Sequence, residues 1–202
     1  MILTAEKSRL SGRIRIPGSK SHTIRAIAVA SLAKGTSYIR NPMISEDALS
    51  AAACYRALGA AIDTGQDAVW TVTGTGGTVT PPNKFVNVGN SGTTLRLAAG
   101  SAALAPQTAK ITLTGDRQIQ ARPIQPLLDA LSDLGAKAVS VNHNACAPIE
   151  IRGTLAGGQT SIECFTSQYL SSLLLACPLA KGSSQINVSL LNEADYVQIT
   201  CD

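Results

Sequence analysis

Seventeen Lys plus Arg against thirteen Asp plus Glu give these 202 residues a formal charge of +4, with 45% hydrophobic and 15% charged side chains. That apolar share offsets ordering entropy and excludes a disordered or highly charged tail, while so small a net charge is no footprint for a nucleic-acid duplex. One Trp, two Phe and four Tyr leave the core to Ala, Leu, Ile and Val and offer few stacking platforms for single-stranded nucleic acid. The length fits one or two domains.

Met1 to Ser11 mixes Glu6, Lys7 and Arg9 with short apolar pieces and lacks the continuous apolar stretch of a signal peptide. From Gly12 onwards a segment order recurs: strand, small-residue turn, helix, strand, helix, hairpin, over residues 12–74 and again over 85–153. In the first copy Arg13 to Ile16 is the strand, Pro17-Gly18-Ser19-Lys20-Ser21 the turn, and His22 to Lys34 a helix stopped by Gly35. Ser37 to Ile39 is the next strand. Ser45-Glu46-Asp47 then caps a helix that ends Leu58-Gly59-Ala60, with Gly59 as a left-handed stop, and Ala61 to Thr73 closes as a hairpin.

In the second copy Val86-Asn87-Val88 is the strand, Gly89-Asn90-Ser91-Gly92 the turn, Thr93 to Leu104 the helix and Ile111 to Leu113 the next strand. Arg122-Pro123-Ile124 opens the following helix, which ends on the returning signature Leu134-Gly135-Ala136. A third copy starts with Thr160 to Cys164 as strand, Phe165-Thr166-Ser167-Gln168 as turn, Tyr169 to Leu179 as helix and Ser184 to Leu190 as strand. It stops at Asp195 to Asp202, the expected start of its second helix. A chain of such units is not expected to finish inside one, which reads as an expressed fragment or a truncated half of a larger protein. The fold class expected is α/β (α+β): repeated β-α-β-α-β-β units, the third incomplete.

Tyr169 to Ala180, the longest apolar run, is broken by Ser171, Ser172 and Pro178 and falls short of the roughly eighteen residues of a membrane helix. Cys54, Cys146, Cys164, Cys177 and Cys201 are odd in number, widely spaced and without a C-x-x-C pair, so neither a zinc site nor a disulfide framework is expected. They read as reduced, mostly buried thiols of a cytoplasmic protein.

Each copy places Gly, Ser, Thr or Asn where a strand runs into a helix, leaving unpaired N–H groups at a positive helix end. That is an anion site in principle. If the units pack around a common axis, the three helix starts converge, and Lys20, Arg25, Arg96 and Arg122 add full positive charges for a small phosphate or carboxylate. Each turn alone has an ordinary reading: Gly-Ser-Lys-Ser is common turn chemistry and lacks the P-loop spacing, Thr166-Ser167-Gln168 is a helix cap, and Arg25 and Arg96 are solvated helix residues. His22 and His143 give no support for a catalytic triad. Recurrence at equivalent positions is what favours the anion site.

These segments together resemble the 5-enolpyruvylshikimate-3-phosphate synthases. The resemblance runs through Pro17-Gly18-Ser19-Lys20-Ser21-x-x-x-Arg25, Gly89-Asn90-Ser91-Gly92-Thr93, Leu113-Thr114-Gly115-Asp116, Arg122-Pro123-Ile124, Thr166-Ser167-Gln168-Tyr169 and the helix with Tyr196, and covers most of the chain. It implies an enolpyruvyl transferase-like fold of two similar domains, each of three β-α-β-α-β-β units about a pseudo-threefold axis. Residues 1–15 would be an N-terminal strand segment, 16–202 most of the shikimate-3-phosphate-binding domain, and the second domain would be absent. The implied partners are shikimate 3-phosphate and phosphoenolpyruvate, with that second domain in cis or as a separate chain; no metal or organic cofactor, nucleic acid or membrane is implied.

Carried over position by position, Lys20, Ser21 and Arg25 would contact shikimate 3-phosphate, with Lys20 also reaching phosphoenolpyruvate and standing as the one catalytic candidate. Gly92 and Arg122 would contact phosphoenolpyruvate with Thr93 beside them, Thr166 and Ser167 would grip the substrate phosphate, Gln168 would reach both ligands, and Tyr196 would lie near the shikimate site. Four positions depart from the family pattern. Thr166 replaces the commoner Ser, Glu193 and Asp195 stand where Ser and Pro are usual, and Leu97 follows Arg96 where many members carry Pro. The isolated chain is expected to bind shikimate 3-phosphate without turnover.

Three rival readings remain open. The related UDP-N-acetylglucosamine enolpyruvyl transferases share the architecture, but their Lys-Asn pair is not matched, since Ser21 follows Lys20. The others are a stand-alone phosphometabolite-binding module or half of a split enzyme, and a purely structural repeat protein without anion affinity.

Overall fold

The computed structural model describes residues 2–202. Residues 2–19 run without helix or strand. Arg13 to Ile16, expected as a strand, pairs with no other strand among the described residues, and Ile14 and Ile16 stand exposed. A strand needs a neighbour for its N–H and C=O groups, and none lies alongside this one.

The first unit is then α1 (Lys20–Leu32), β1 (Lys34–Arg40), α2 (Glu46–Ala57), β2 (Ala61–Asp63) and β3 (Val69–Thr75). Ser19 caps α1 by accepting from the His22 amide at 3.3 Å, so the helix starts two residues earlier than expected; it also ends at Leu32, and Lys34 and Gly35 already belong to β1. Ser45 caps α2 through the Ala48 amide, with Glu46 and Asp47 in the first turn, where they oppose the positive helix end. Gly59 takes φ +110°, the left-handed stop anticipated from Leu-Gly-Ala. β3 lies between β1 and β2, antiparallel to both.

The second unit comprises β4 (Val86–Asn87), α3 (Gly92–Ala102), β5 (Lys110–Thr114), α4 (Gln125–Asp133), β6 (Lys137–Ser140) and β7 (Ile149–Arg152). Its sheet runs β4-β5-β7-β6, with β4 parallel to β5 across α3, and β5-β7-β6 repeats the order β1-β3-β2. The helix expected to open at Arg122 starts at Gln125 instead. Arg122 is extended, at φ −93° and ψ 123°, because the ring of Pro123 disfavours a helical residue before it.

The third stretch has β8 (Gly158–Cys164), α5 (Ser167–Ala176), β9 (Ser184–Leu191) and α6 (Ala194–Cys201). β8 and β9 are parallel across α5, as β4 and β5 are across α3. Pro178 ends α5 short of the expected Leu179 and leaves a single 3-10 turn over Cys177–Leu179, since a proline supplies no N–H to the helix.

The core forms where the helices meet the sheets. α1 packs on α2, α3 and β3, and α3 packs on α5. Ile24, Ile27, Leu95, Leu97, Ile111, Leu113, Leu127 and Leu128 are fully buried, joined by Tyr55 and Trp70. At about 25 cal/mol per Å² of apolar surface removed from water, side chains of this size each contribute about 1.5–3 kcal/mol. No helix among the described residues is long and apolar enough to cross a membrane. All five cysteines are free thiols; Cys54, Cys146 and Cys164 are buried, Cys177 is half-buried and Cys201 exposed.

Candidate functional site

The packing that buries α1, α3 and α5 brings their first residues to one open cavity of about 710 Å³. Lys20 enters from α1, Gly92 and Thr93 from α3 and Gln168 from α5, while the second-unit turn supplies Gly89, Asn90 and Ser91, and Arg122 reaches in from the segment before α4. Ser91 caps α3 and hydrogen-bonds Thr94 Oγ1 at 2.7 Å, which holds that turn closed under the cavity. An open cavity of similar size, beside residues 15–18, is lined by Ile16, Pro17, Pro42, Met43 and Ile44 and gathers no helix starts of this kind.

The cavity is not simply positive. Lys20 Nζ lies 3.4 Å from Asp47 Oδ2, an ion pair half open to solvent, and Glu46 also lines the wall. Arg122 donates to Asn90 Oδ1 at 3.3 Å and is exposed. Two cations therefore face two carboxylates of α2, and the unpaired N–H groups at the starts of α1, α3 and α5 carry the remaining preference for an anion. Asp47, Glu46 and Ser50 join the wall without any sequence pattern that marks them as site residues. In the sequence Asp47 reads only as part of a helix cap, and no local pattern links it to a lysine 27 residues away.

Gly92 is where two guanidinium groups close on α3. A Cβ there would come within 2.8 Å of Arg96 Nη1 and 2.9 Å of Arg122 Nη1, so any side chain displaces both. Arg96 itself, 8% exposed, does not project into the cavity as a free charge. Its Nη1 donates to Gly92 O at 3.2 Å and Gln168 Oε1 at 3.0 Å, and its Nη2 to Pro123 O at 3.1 Å. Its guanidinium also stacks 5.5 Å from the Tyr169 ring, whose hydroxyl donates to the same Pro123 carbonyl at 2.8 Å. One arginine thus ties α3, α5 and the Arg122 segment together behind the cavity. Burial lowers its pKa, with Tyr169 and Glu193 acting the other way, and it stays charged at neutral pH.

The remaining candidates gather beside the cavity, outside its lining. Arg25, 4% exposed, donates to Thr200 Oγ1 at 2.8 Å, Ser21 O at 3.3 Å and Ser171 Oγ at 3.3 Å. It stacks 5.7 Å from the Tyr196 ring. Its hydrogen bonds tie α1 to α5 and α6, and desolvation lowers its pKa against the opposing influence of Tyr196 and Glu193. Arg25 and Arg96 are therefore internal struts, where full charges lining the site had been expected.

Thr166 and Ser167, at the start of α5, already have an anionic partner. Glu193 Oε2 accepts from Thr166 Oγ1 at 3.3 Å, the Ser167 amide at 3.3 Å and Ser167 Oγ at 3.0 Å. Asp195, the other acid at a departure from the family pattern, sits exposed in the first turn of α6. No cluster of His, Cys, Asp and Glu fit to hold a metal occurs among the described residues.

The sequence model of EPSP synthase (3-phosphoshikimate 1-carboxyvinyltransferase) matches residues 4–202. A 3-phosphoshikimate 1-carboxyvinyltransferase of Acetivibrio thermocellus is 50% identical over 200 residues, covering 99% of this chain and 47% of that protein. Those of Ruminiclostridium cellulolyticum and Methanothermobacter thermautotrophicus are each 46% identical, over 99% and 98% of this chain and 47% and 45% of theirs. The solved structure of EPSP synthase from Acinetobacter baumannii superposes with a TM-score of 0.81 at 27% identity, over 93% of this chain and 42% of that one. The chain spans about half the length of the relatives it matches. With the family match running through nearly every residue and the fold agreeing over the same stretch, the chain belongs to the EPSP synthase family.

Proposed function

We propose that this chain is the shikimate-3-phosphate-holding part of an enolpyruvyl transferase, with its units arranged about a pseudo-threefold axis and the third incomplete. The reaction is transfer of the enolpyruvyl group of phosphoenolpyruvate to the 5-hydroxyl of shikimate 3-phosphate. That hydroxyl gives up its proton to a base and attacks C2 of phosphoenolpyruvate as C3 is protonated, and the tetrahedral intermediate then loses a C3 proton and expels phosphate, which restores the enol double bond. The observation that carries this reading is the convergence of Lys20, Gly92, Thr93, Arg122 and Gln168 on one cavity ringed by helix N-termini.

In this reading Lys20 leaves Asp47 to bridge the two anionic ligands, and Arg122 grips the carboxylate or phosphate of phosphoenolpyruvate at the bare backbone of Gly92. Ser21, Thr166, Ser167 and Tyr196 hold shikimate 3-phosphate from the adjoining cluster, with Arg25 bracing Ser21 and Tyr196 from behind, and Gln168, braced by Arg96, spans both ligands. Held together this way, the reactants need no diffusive encounter. The acids for proton transfer and the closure that excludes water come from a second domain, so the 202-residue chain binds substrate without turnover. Free thiols fit a reducing compartment, the cytoplasm.

Calorimetric titration tests the reading. The chain is expected to bind shikimate 3-phosphate saturably and shikimate far more weakly, and Lys20→Ala to weaken binding of the phosphate ester by about tenfold, or about 1.4 kcal/mol. No heat from a folded chain, or equal affinity for shikimate and its phosphate ester, overturns it.

A further inference from the structure

We propose, on the reading given above, that Glu193 is a built-in competitor for the substrate phosphate: its carboxylate occupies the start of α5, and a phosphate monoester binds there only once it has swung away. A single oxygen, Oε2, takes three donors at the start of α5: the Thr166 hydroxyl, the Ser167 amide and the Ser167 hydroxyl. Three donors converging on one oxygen is how a phosphate oxygen is held at a helix N-terminus.

The donors need an outside anion. Ser19, Ser45 and Ser91 each accept from the amide three residues on and so satisfy their own helices. Thr166 makes no such cap and donates its hydroxyl to Glu193 instead. The occupant comes from a distant part of the chain, 26–27 residues away. It reaches back from the residue preceding α6, whose backbone sits at φ 58° and ψ 44°, a left-handed conformation uncommon for a side-chain-bearing residue.

Two further features fit displacement. Glu193 is exposed, so no wall hinders its exit. The buried guanidinium groups of Arg25 and Arg96 feel its charge, and a phosphate at the same donors supplies a negative charge in its place. The exchange is of one anion for another at fixed donors; affinity for the phosphate ester is lowered by whatever holds the carboxylate in place, and affinity for unphosphorylated shikimate is untouched.

Titrations of the wild-type chain, Glu193→Ser and Glu193→Gln with shikimate 3-phosphate, inorganic phosphate and shikimate test this. Both variants are expected to bind shikimate 3-phosphate at least tenfold more tightly than wild type, and inorganic phosphate more tightly in the same order, with shikimate changed by less than twofold. Thermal melts add an independent readout. Without ligand both variants melt below wild type, since α5 loses its anionic partner, and saturating shikimate 3-phosphate closes that gap. Equal or weaker binding by both variants, or a melting gap that ligand leaves intact, makes Glu193 a plain structural cap and overturns the competitor while leaving the substrate reading standing. If neither wild type nor variants bind the phosphate ester although all are folded by circular dichroism, the substrate reading falls and the competitor falls with it.

Discussion

Arg96 shows how a residue that resembles a ligand contact in sequence can act at one remove. Three acceptors from three segments, Gly92 O, Gln168 Oε1 and Pro123 O, lie within its fork, and the planar guanidinium meets them from one fixed geometry. An ammonium is a single point with a shorter reach and cannot serve all three. Arg96→Lys is therefore expected to cost about 1–3 kcal/mol, read as a fall of several degrees in melting temperature. It also releases Gln168, which on the proposed reading weakens binding of shikimate 3-phosphate. An unchanged melting temperature would make Arg96 an ordinary surface-anchored side chain. Its Nε, buried and unpartnered, marks the limit of what the protein's own groups satisfy there.

At the scale of elements, the second sheet carries a charge problem with one solution. Register places Lys110 of β5 and Lys137 of β6 both opposite Arg152 of β7, so three cations stand abreast on one face. Like charges directly opposite destabilise a sheet. Glu150, two residues from Arg152 and hence on the same face, accepts from Arg152 Nε at 2.7 Å and pairs with Lys110 Nζ at 3.2 Å. Arg152 above all, then Lys110, hold its carboxyl below the ordinary value against an opposing desolvation effect. A carboxylate depressed in the folded state stabilises above its unfolded value, about 4.3, and that contribution is lost as pH falls through its folded value. Denaturant titrations at falling pH are expected to show wild type losing up to about 1 kcal/mol from this group, the size of a partly exposed pair. Glu150→Gln should start lower at neutral pH and lack this part of the acid-side decline. Parallel acid-side slopes would mean that Glu150 contributes nothing.

For the molecule as a whole, the thiols report how much of it opens at once. Cys54, on α2, is fully buried, and burial alone pushes its thiol up to about 12. A thiol reacts as thiolate, so Cys54 is inert until the fold opens, whereas the exposed Cys201 on α6 is free to react. With a thiol reagent at pH 8, Cys201 is expected to label within the first fast phase. Cys54 should label orders of magnitude more slowly, at a rate that rises with denaturant as global unfolding does. Rapid labelling of Cys54 in native buffer would show that the first unit opens apart from the others.

Much of the architecture was legible because the signals are local. Ser19, Ser45 and Ser91 announce helix starts, Gly59 and Gly135 their ends, and alternating apolar residues the strands, so the element order of the second and third units follows from neighbours within a few residues. Boundaries slipped at both ends of α1, where the Ser19 cap starts the helix two residues early and Lys34 and Gly35 join β1, and at Pro123 and Pro178, where ring sterics acted on the residues before or around them. Membership of the family was equally legible, since its motifs are contiguous. What tertiary structure alone decided is where long side chains point once distant segments meet. Arg25 and Arg96 turn inward onto partners up to 175 residues away, Lys20 lies against Asp47, Arg13 to Ile16 finds no strand among the described residues, and Glu193 closes on the start of α5. A sequence records which charges a chain carries; which of them neutralise one another depends on distances that exist only after the core has packed.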